Sequence, residues 1–160
     1  MAWFLSMLLC LGLASAQAQT VTNADTSSAL SAGGSWVLGT PPISTQIAVW
    51  DNTITNNTAK VLGGSLSWLG IQILNPATNS GAPIIIETNT TIPGNILTLG
   101  ASGIDMSAAS ANLSLSNAVV LGANQTWNVA TGYALTNSGV ISGSANLTLN
   151  NGANYGGAVI

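Results

Sequence analysis

Between Ile96 and Asn150 short apolar alternations recur at a nearly constant interval, and no other feature restricts the chain as much. They begin as Leu97-Thr98-Leu99, Ile104-Asp105-Met106 and Leu113-Ser114-Leu115. They return as Val119-Val120-Leu121, Trp127-Asn128-Val129 and Tyr133-Ala134-Leu135, and begin again at Gly139-Val140-Ile141 and Leu147-Thr148-Leu149. Apolar residues two apart mark a strand with one buried face. Leu99, Leu121 and Ile141 correspond between rounds, as do Met106, Val129 and Leu149, and Leu115 and Leu135. Their spacing is roughly 20 to 23 residues, a length typical of solenoid repeats. Three strands per round, each cut by Gly, Asn, Ser or Ala, predict strands of no more than about five residues. One such round cannot bury its own apolar face and must stack on its neighbours. The predicted fold is therefore all-β, a right-handed parallel β-helix of about five to seven rungs with three short strands per rung. On this reading Leu99, Leu121 and Ile141 share one inward column.

The same stretch carries four words: LTLG at Leu97–Gly100, GIDMS at Gly103–Ser107, LGA-QTWNV at Leu121–Val129 and SGVISGS at Ser138–Ser144. In this order they resemble the autotransporter-associated β-strand repeat of large bacterial surface and secreted proteins. Asn154-Tyr155-Gly156-Gly157-Ala158 is similar to that family's NTYTGGTT word, with one Thr missing and an Ala substituted. The family's LTKxGxGTLTLSG run is matched only in part by Leu147–Gly152, which lacks the Lys and the second strand. The resemblance extends from about Trp36 to the end. It implies a passenger-type β-helix with a Trp-bearing first section, here Trp36, Pro42 and Trp50-Asp51. The family's outer-membrane barrel has no counterpart here, and the stop within an apparent strand at Ala158-Val159-Ile160 reads as the start of a longer protein or a shortened member.

Residues 1–18 read as a secretory signal. Trp3 to Leu13 is apolar, and Ala14-Ser15-Ala16 or Ala16-Gln17-Ala18 fits small-x-small cleavage. The apolar run is too short for a transmembrane helix, which needs about 20 residues. Cys10 lies within it behind Leu9, not a small residue, which argues against lipidation; after cleavage no cysteine remains for a disulfide. Residues 19–34 form a polar leader or a first capping strand, residues 35–75 a Trp-rich N-terminal cap with the first rungs, and residues 76–160 the regular repeats. An uncovered end rung exposes edge backbone and apolar interior, which bulky aromatics can close.

Chemistry is restricted mostly by what the chain lacks. It has one Lys, four acidic residues and no His, for a net charge of −3. A soluble domain is usually about a quarter charged, so Asn, Thr, Ser and Gly must form the surface. The single cation, Lys60, cannot neutralise a phosphate backbone, which excludes nucleic acid, or hold an anionic membrane. Histidine triads and histidine metal sites are impossible without His. Asp25, Asp51, Glu87 and Asp105 are scattered with no shared turn length, so paired-carboxylate hydrolysis is not expected; alternation points Asp105 outward. Asn151–Gly157 is rich in Gly and Asn without a carboxylate, unlike a calcium-binding β-roll. Neither a metal nor a cofactor is expected. Five Asn-x-Ser/Thr matches, at Asn56, Asn89, Asn112, Asn124 and Asn146, follow from composition; Asn at corners is expected to build side-chain ladders between turns.

Two functions remain. One is a non-enzymatic secreted or cell-surface β-helix, a passenger-type structural or adhesin-like segment on the bacterial outer surface. The other is a carbohydrate-binding module or an inactive relative of β-helix polysaccharide-active enzymes, with Trp36, Trp50 and Trp68 as possible ligand platforms. The expected partners are surface glycans, or further copies joined through open β-helix ends, with no integral membrane segment once the signal is removed.

Overall fold

The computed structural model describes residues 17–56, 58–78, 81–88, 93–151 and 158–159. Most of the expected export signal lies outside the described residues. Among the described residues thirteen strands follow in order: β1 (Gln19–Thr22), β2 (Gln46–Trp50), β3 (Ala59–Val61), β4 (Leu66–Leu74), β5 (Ile84–Glu87), β6 (Ile96–Ala108), β7 (Leu113–Leu115), β8 (Ala118–Leu121), β9 (Gln125–Val129), β10 (Ala134–Asn137), β11 (Ile141–Ser142), β12 (Leu147–Asn151) and β13 (Ala158–Val159). Every ladder between them is parallel. Together they form a β-solenoid of about five turns. Parallel strands need long crossovers, and here each crossover is the rest of one turn.

Two sheets result. One orders its strands β1-β2-β4-β6-β8-β11, with β9 and β12 joined alongside; the other orders them β13-β10-β7-β5-β3. The first sheet supplies two faces of the solenoid, because β6 serves two successors. Residues 96–99 of β6 pair with β8, and residues 104–106 pair with β9. The strand therefore runs through the corner as 13 residues and β4 as nine, longer than the five expected. At the Gly100–Gly103 corner the ladder lapses after Leu99 and resumes at Gly103 with a register shift. A Cβ at Gly103 would lie 2.3 Å from the Thr126 carbonyl oxygen, and its φ of +58° suits glycine.

Alternation sends one residue in two to the interior. Leu97, Leu99, Ile104, Met106, Leu113, Leu115 and Trp127 are fully buried in one continuous core. Where the repeat is most regular one turn is 22 residues, the separation of the stacked pair Asn128 and Asn150. Leu97 pairs with Val119 and Val119 with Ile141; Leu113 pairs with Leu135; Trp127 pairs with Leu149. Leu99 does stand against Leu121. Ile141, however, lies over Val119 and not over Leu121, so the expected match of Leu121 with Ile141 falls two positions short of a turn. A slip of two keeps every side chain on the same face, so alternation alone does not detect it.

The N-terminal end is closed by residues 19–37. β1 pairs with β2, and Asn23 bridges Trp36 in the antiparallel sense. The Val37 N–H donates to the Thr22 carbonyl at 3.0 Å. Leu30, wholly buried, is held where the Leu30 N–H donates to the Val61 carbonyl at 2.9 Å. Within residues 19–34 the strand covers Gln19–Thr22 only. At the other end Ile141 and Leu149, both in inward columns, are 40% and 50% exposed.

Candidate binding face

Trp36, Trp50 and Trp68 come together, but inside. They are 2%, 0% and 0% exposed. Their ring centroids are 5.9 Å (Trp36–Trp50), 5.6 Å (Trp36–Trp68) and 6.2 Å (Trp50–Trp68) apart, the first two edge-to-face. Trp36 Nε1–H donates to the Leu30 carbonyl at 2.8 Å. A stacking platform needs a ring face open to ligand, and these rings spend theirs on each other. As folded, all three rings lie in the core, with no ring face open to solvent.

Lys60 is also internal. Its register partner is Ile86, whose own partner is Leu115, so the lysine stem continues an aliphatic column. Its Nζ reaches the N-terminal cap and donates to the Ala24 carbonyl at 2.6 Å. Burial lowers its pKa to about 8, against the opposing pull of Asp25. Asp25 is itself bound by Thr55, whose Oγ1 donates at 2.7 Å.

The chemistry that faces solvent gathers on the second face, along β4, β6, β9 and β12. In the first three of these strands one polar residue points outward between two inward ones: Gln72 between Ile71 and Ile73, Asp105 between Ile104 and Met106, Asn128 between Trp127 and Val129. Register stacks them, with Gln72 on Asp105, Asp105 on Asn128 and Asn128 on Asn150. Gln72 Nε2 donates to Asp105 Oδ2 at 3.2 Å, and Asn150 Nδ2 donates to Asn128 Oδ1 at 2.9 Å. Among the described residues no hydrogen bond joins Asp105 to Asn128, so the ladder is two bonded pairs with a break between them.

Asp105 is the charged member. Burial pushes its carboxyl up, but hydrogen bonds from the Ser107 hydroxyl and backbone N–H and from Gln72 outweigh this and hold its pKa below the ordinary carboxylate value. The Ser107 N–H donates to Oδ1 at 3.0 Å. Thr53 donates to Asp51 Oδ1 through both its N–H (3.0 Å) and Oγ1 (2.7 Å), a local turn.

Three shallow depressions adjoin this ladder and share Asn128. One of about 270 Å³ is lined by Ile47, Ile71, Gln72, Ser102, Asp105 and Asn128. A second, about 280 Å³, runs from Ser107 and Asn128 to Thr131 and Asn150. A third, about 400 Å³, lies on the corner side against Ser102, Thr126, Asn146 and Thr148. Asp105 is the only ionisable residue lining any of them, among the described residues. At the corners Asn side chains link successive turns, but to backbone N–H groups and not as the expected side-chain ladder. Asn124 Oδ1 accepts from the Asn146 N–H and Asn112 Oδ1 from the Ala134 N–H, each at 2.9 Å and 22 residues on.

Sequence reasoning placed Asp105 outward but missed the column it belongs to. Asn128 and Asn150 are 22 residues apart and could have been found from the register. Gln72 precedes Asp105 by 33 residues, and that interval hides the alignment. Among the described residues no group of three or more His, Cys, Asp or Glu could hold a metal ion, and no helix is long and apolar enough to cross a membrane. Fold and face define a parallel β-solenoid with a polar trough along one side. No protein-family model, curated protein or solved structure matches the chain.

Proposed function

We propose that the chain is a non-enzymatic β-helix segment of passenger type, exported to the bacterial surface, where it acts as a rigid, adhesin-like element. The observation that carries this is the outward face itself. Its one ionisable group, Asp105, has both oxygens engaged by Ser107 and Gln72, and the residues beside it in the trough are amides, hydroxyls and aliphatics. Hydrolysis of a glycoside needs a second carboxylate within reach, whereas a stiff surface of hydrogen-bonding groups suits adhesion. The repeat words and the apolar residues before Ala-Gln-Ala support the resemblance to autotransporter-associated repeats and the export.

The test is expression of the full chain in a bacterial host. Exported protein should begin at Gln19, or at Gln17, by mass spectrometry, and be cleaved by protease added outside intact cells. It should release no reducing ends from a polysaccharide panel. Retained Met1 on protein inside the cell, or turnover of a glycan, would sink the proposal. Self-association is a second reading, favoured by the exposed Ile141 and Leu149 in inward columns and by the absence of any charged residue after Asp105; charges normally protect such an edge. A second copy meeting this end would make sedimentation depend on concentration, and Leu149→Lys should suppress that dependence.

A further inference from the structure

We propose that the trough over β4, β6, β9 and β12 binds a linear, neutral glycan lying along the solenoid axis, with a sugar hydroxyl bridging Asp105 and Asn128; this rests on the reading of the chain as a surface adhesive segment. The argument begins at the break in the ladder. Asn128 spends its Oδ1 on Asn150 and keeps its amide hydrogens for the outside. Asp105 is an acceptor held in its charged form, and each oxygen has a lone pair beyond those used by Ser107 and Gln72. An acceptor and a donor in register on adjacent strands, about 4.8 Å apart, are what one hydroxyl can join by donating to the carboxylate and accepting from the amide. The hydrogen bond to the charged oxygen is the stronger of the two.

The depressions on either side extend the site. Toward the N-terminal end the half-buried Ile47 lines the wall beside Gln72 and Ser102, an apolar spot for the C–H face of a sugar ring. Toward the C-terminal end Asn150 and Thr131 continue the polar wall. Thr126 and Thr148 stand in register at the corner and line the third depression. Sites spaced by the strand repeat match a ligand with its own short repeat. The inward neighbours Ile104, Met106 and Trp127 are wholly buried, so the outward groups are held by a packed core and little ordering is needed on binding.

Charge chooses among glycans. The net charge is −3, the trough carries a carboxylate, and the lone cation is buried in the N-terminal turns. An anionic polymer finds no counter-charge here, while a neutral chain is admitted.

The experiment is calorimetric titration of the full-length exported protein with cellohexaose, xylohexaose and chitohexaose, with polygalacturonate as the anionic comparison. Asp105→Asn and Asn128→Ala are measured beside Thr136→Ala, a change on the third face. At least one neutral hexasaccharide should bind. Each trough variant should weaken that binding about tenfold or more, with Thr136→Ala unchanged and polygalacturonate not bound. Urea unfolding of each variant shows whether the fold is kept; if Asn128→Ala loses stability, the near-isosteric Asp105→Asn carries the test. No binding of any neutral hexasaccharide overturns the proposal, as does binding indifferent to both trough variants, equally sensitive to Thr136→Ala, or matched by polygalacturonate. Protein that is surface-accessible to protease yet binds none of these sugars refutes the glycan site while leaving the surface role in place.

Discussion

Replacing Trp68 with alanine should remove more stability than any other single truncation in the N-terminal turns. The side chain is wholly buried and touches two other indoles, with centroids 5.6 Å and 6.2 Å away. Truncating a buried Trp costs about 3 to 5 kcal/mol through lost burial and the cavity left behind. Each aromatic pair adds about 0.5 to 1.5 kcal/mol beyond its area, so the upper end of the range is expected. Trp50→Ala should fall close behind it. The three rings form one cluster, so the double variant Trp36→Ala/Trp68→Ala should lose less than the sum of the singles. Phenylalanine separates packing from hydrogen bonding. Trp36 Nε1–H is bonded to the Leu30 carbonyl, whereas the buried Nε1 atoms of Trp50 and Trp68 have no hydrogen-bond partner. Trp36→Phe should therefore cost about 1 to 3 kcal/mol more than volume alone predicts, because it leaves the Leu30 carbonyl unsatisfied. Trp50→Phe and Trp68→Phe should carry no such excess. The assay is urea unfolding followed by far-ultraviolet circular dichroism, with Trp127→Ala as a buried reference in the regular repeats. Trp36→Ala, Trp50→Ala and Trp68→Ala within about 0.5 kcal/mol of the parent, as for exposed positions, would refute the buried-cluster argument.

Three further outcomes follow from single features of the fold. Lys60 titrates at about 8 when folded and ordinarily at 10.5, so between these values the unfolded chain binds the extra proton. Stability should therefore rise with pH across that window, by no more than about 1.4 kcal/mol per pH unit, and urea midpoints should show the rise disappearing in Lys60→Met. For Asp105 the slope has the same sign but lies in the acid range. Its depressed folded pKa contributes stability that is present above the ordinary carboxylate range and is lost as pH falls through the folded value, a loss that acid titration of Asp105→Asn should lack. Deleting residues 119–140 removes one whole turn and should leave a cooperatively unfolding, shorter solenoid, whereas deleting 119–138 should not, since it places Gly139 and not Ile141 over Leu97; thermal unfolding distinguishes the two.

Alternation was enough to recognise stacked turns, because it records the fact that decides the fold, one buried face per strand. It also identified the inward residues of the regular repeats, Trp127 among them. It could not set the register. Leu121 and Ile141 are both inward and nearly one turn apart, and only the backbone pairing shows that Ile141 belongs over Val119. Nor could it bound the strands, since at a glycine corner β6 breaks its ladder after Leu99 and resumes pairing beyond it within one strand. In the sequence Lys60 counts only as a charge, and nothing there indicates an inward position. The lysine stem is apolar enough to sit in a column with Ile86 and Leu115 while its ammonium finds a carbonyl at the solenoid end.

The trough was the least legible part, for a reason built into solenoids. A catalytic motif is often local in sequence, but a face here is assembled one residue per turn. Its members are found only by counting whole turns, and the turns differ in length: 33 residues from Gln72 to Asp105 but 22 from Asn128 to Asn150. The longer turn is accommodated away from the ladder, because the inward columns must stay in register to bury Ile71, Ile104 and Trp127. Core packing thus fixes which outward residues meet, although none of those residues contributes to the core. Gln72, Asp105, Asn128 and Asn150 are free to vary in chemistry while their spacing is held by the columns behind them. A surface of this kind can change what it binds by substitution at one outward position per turn, with the fold unaltered.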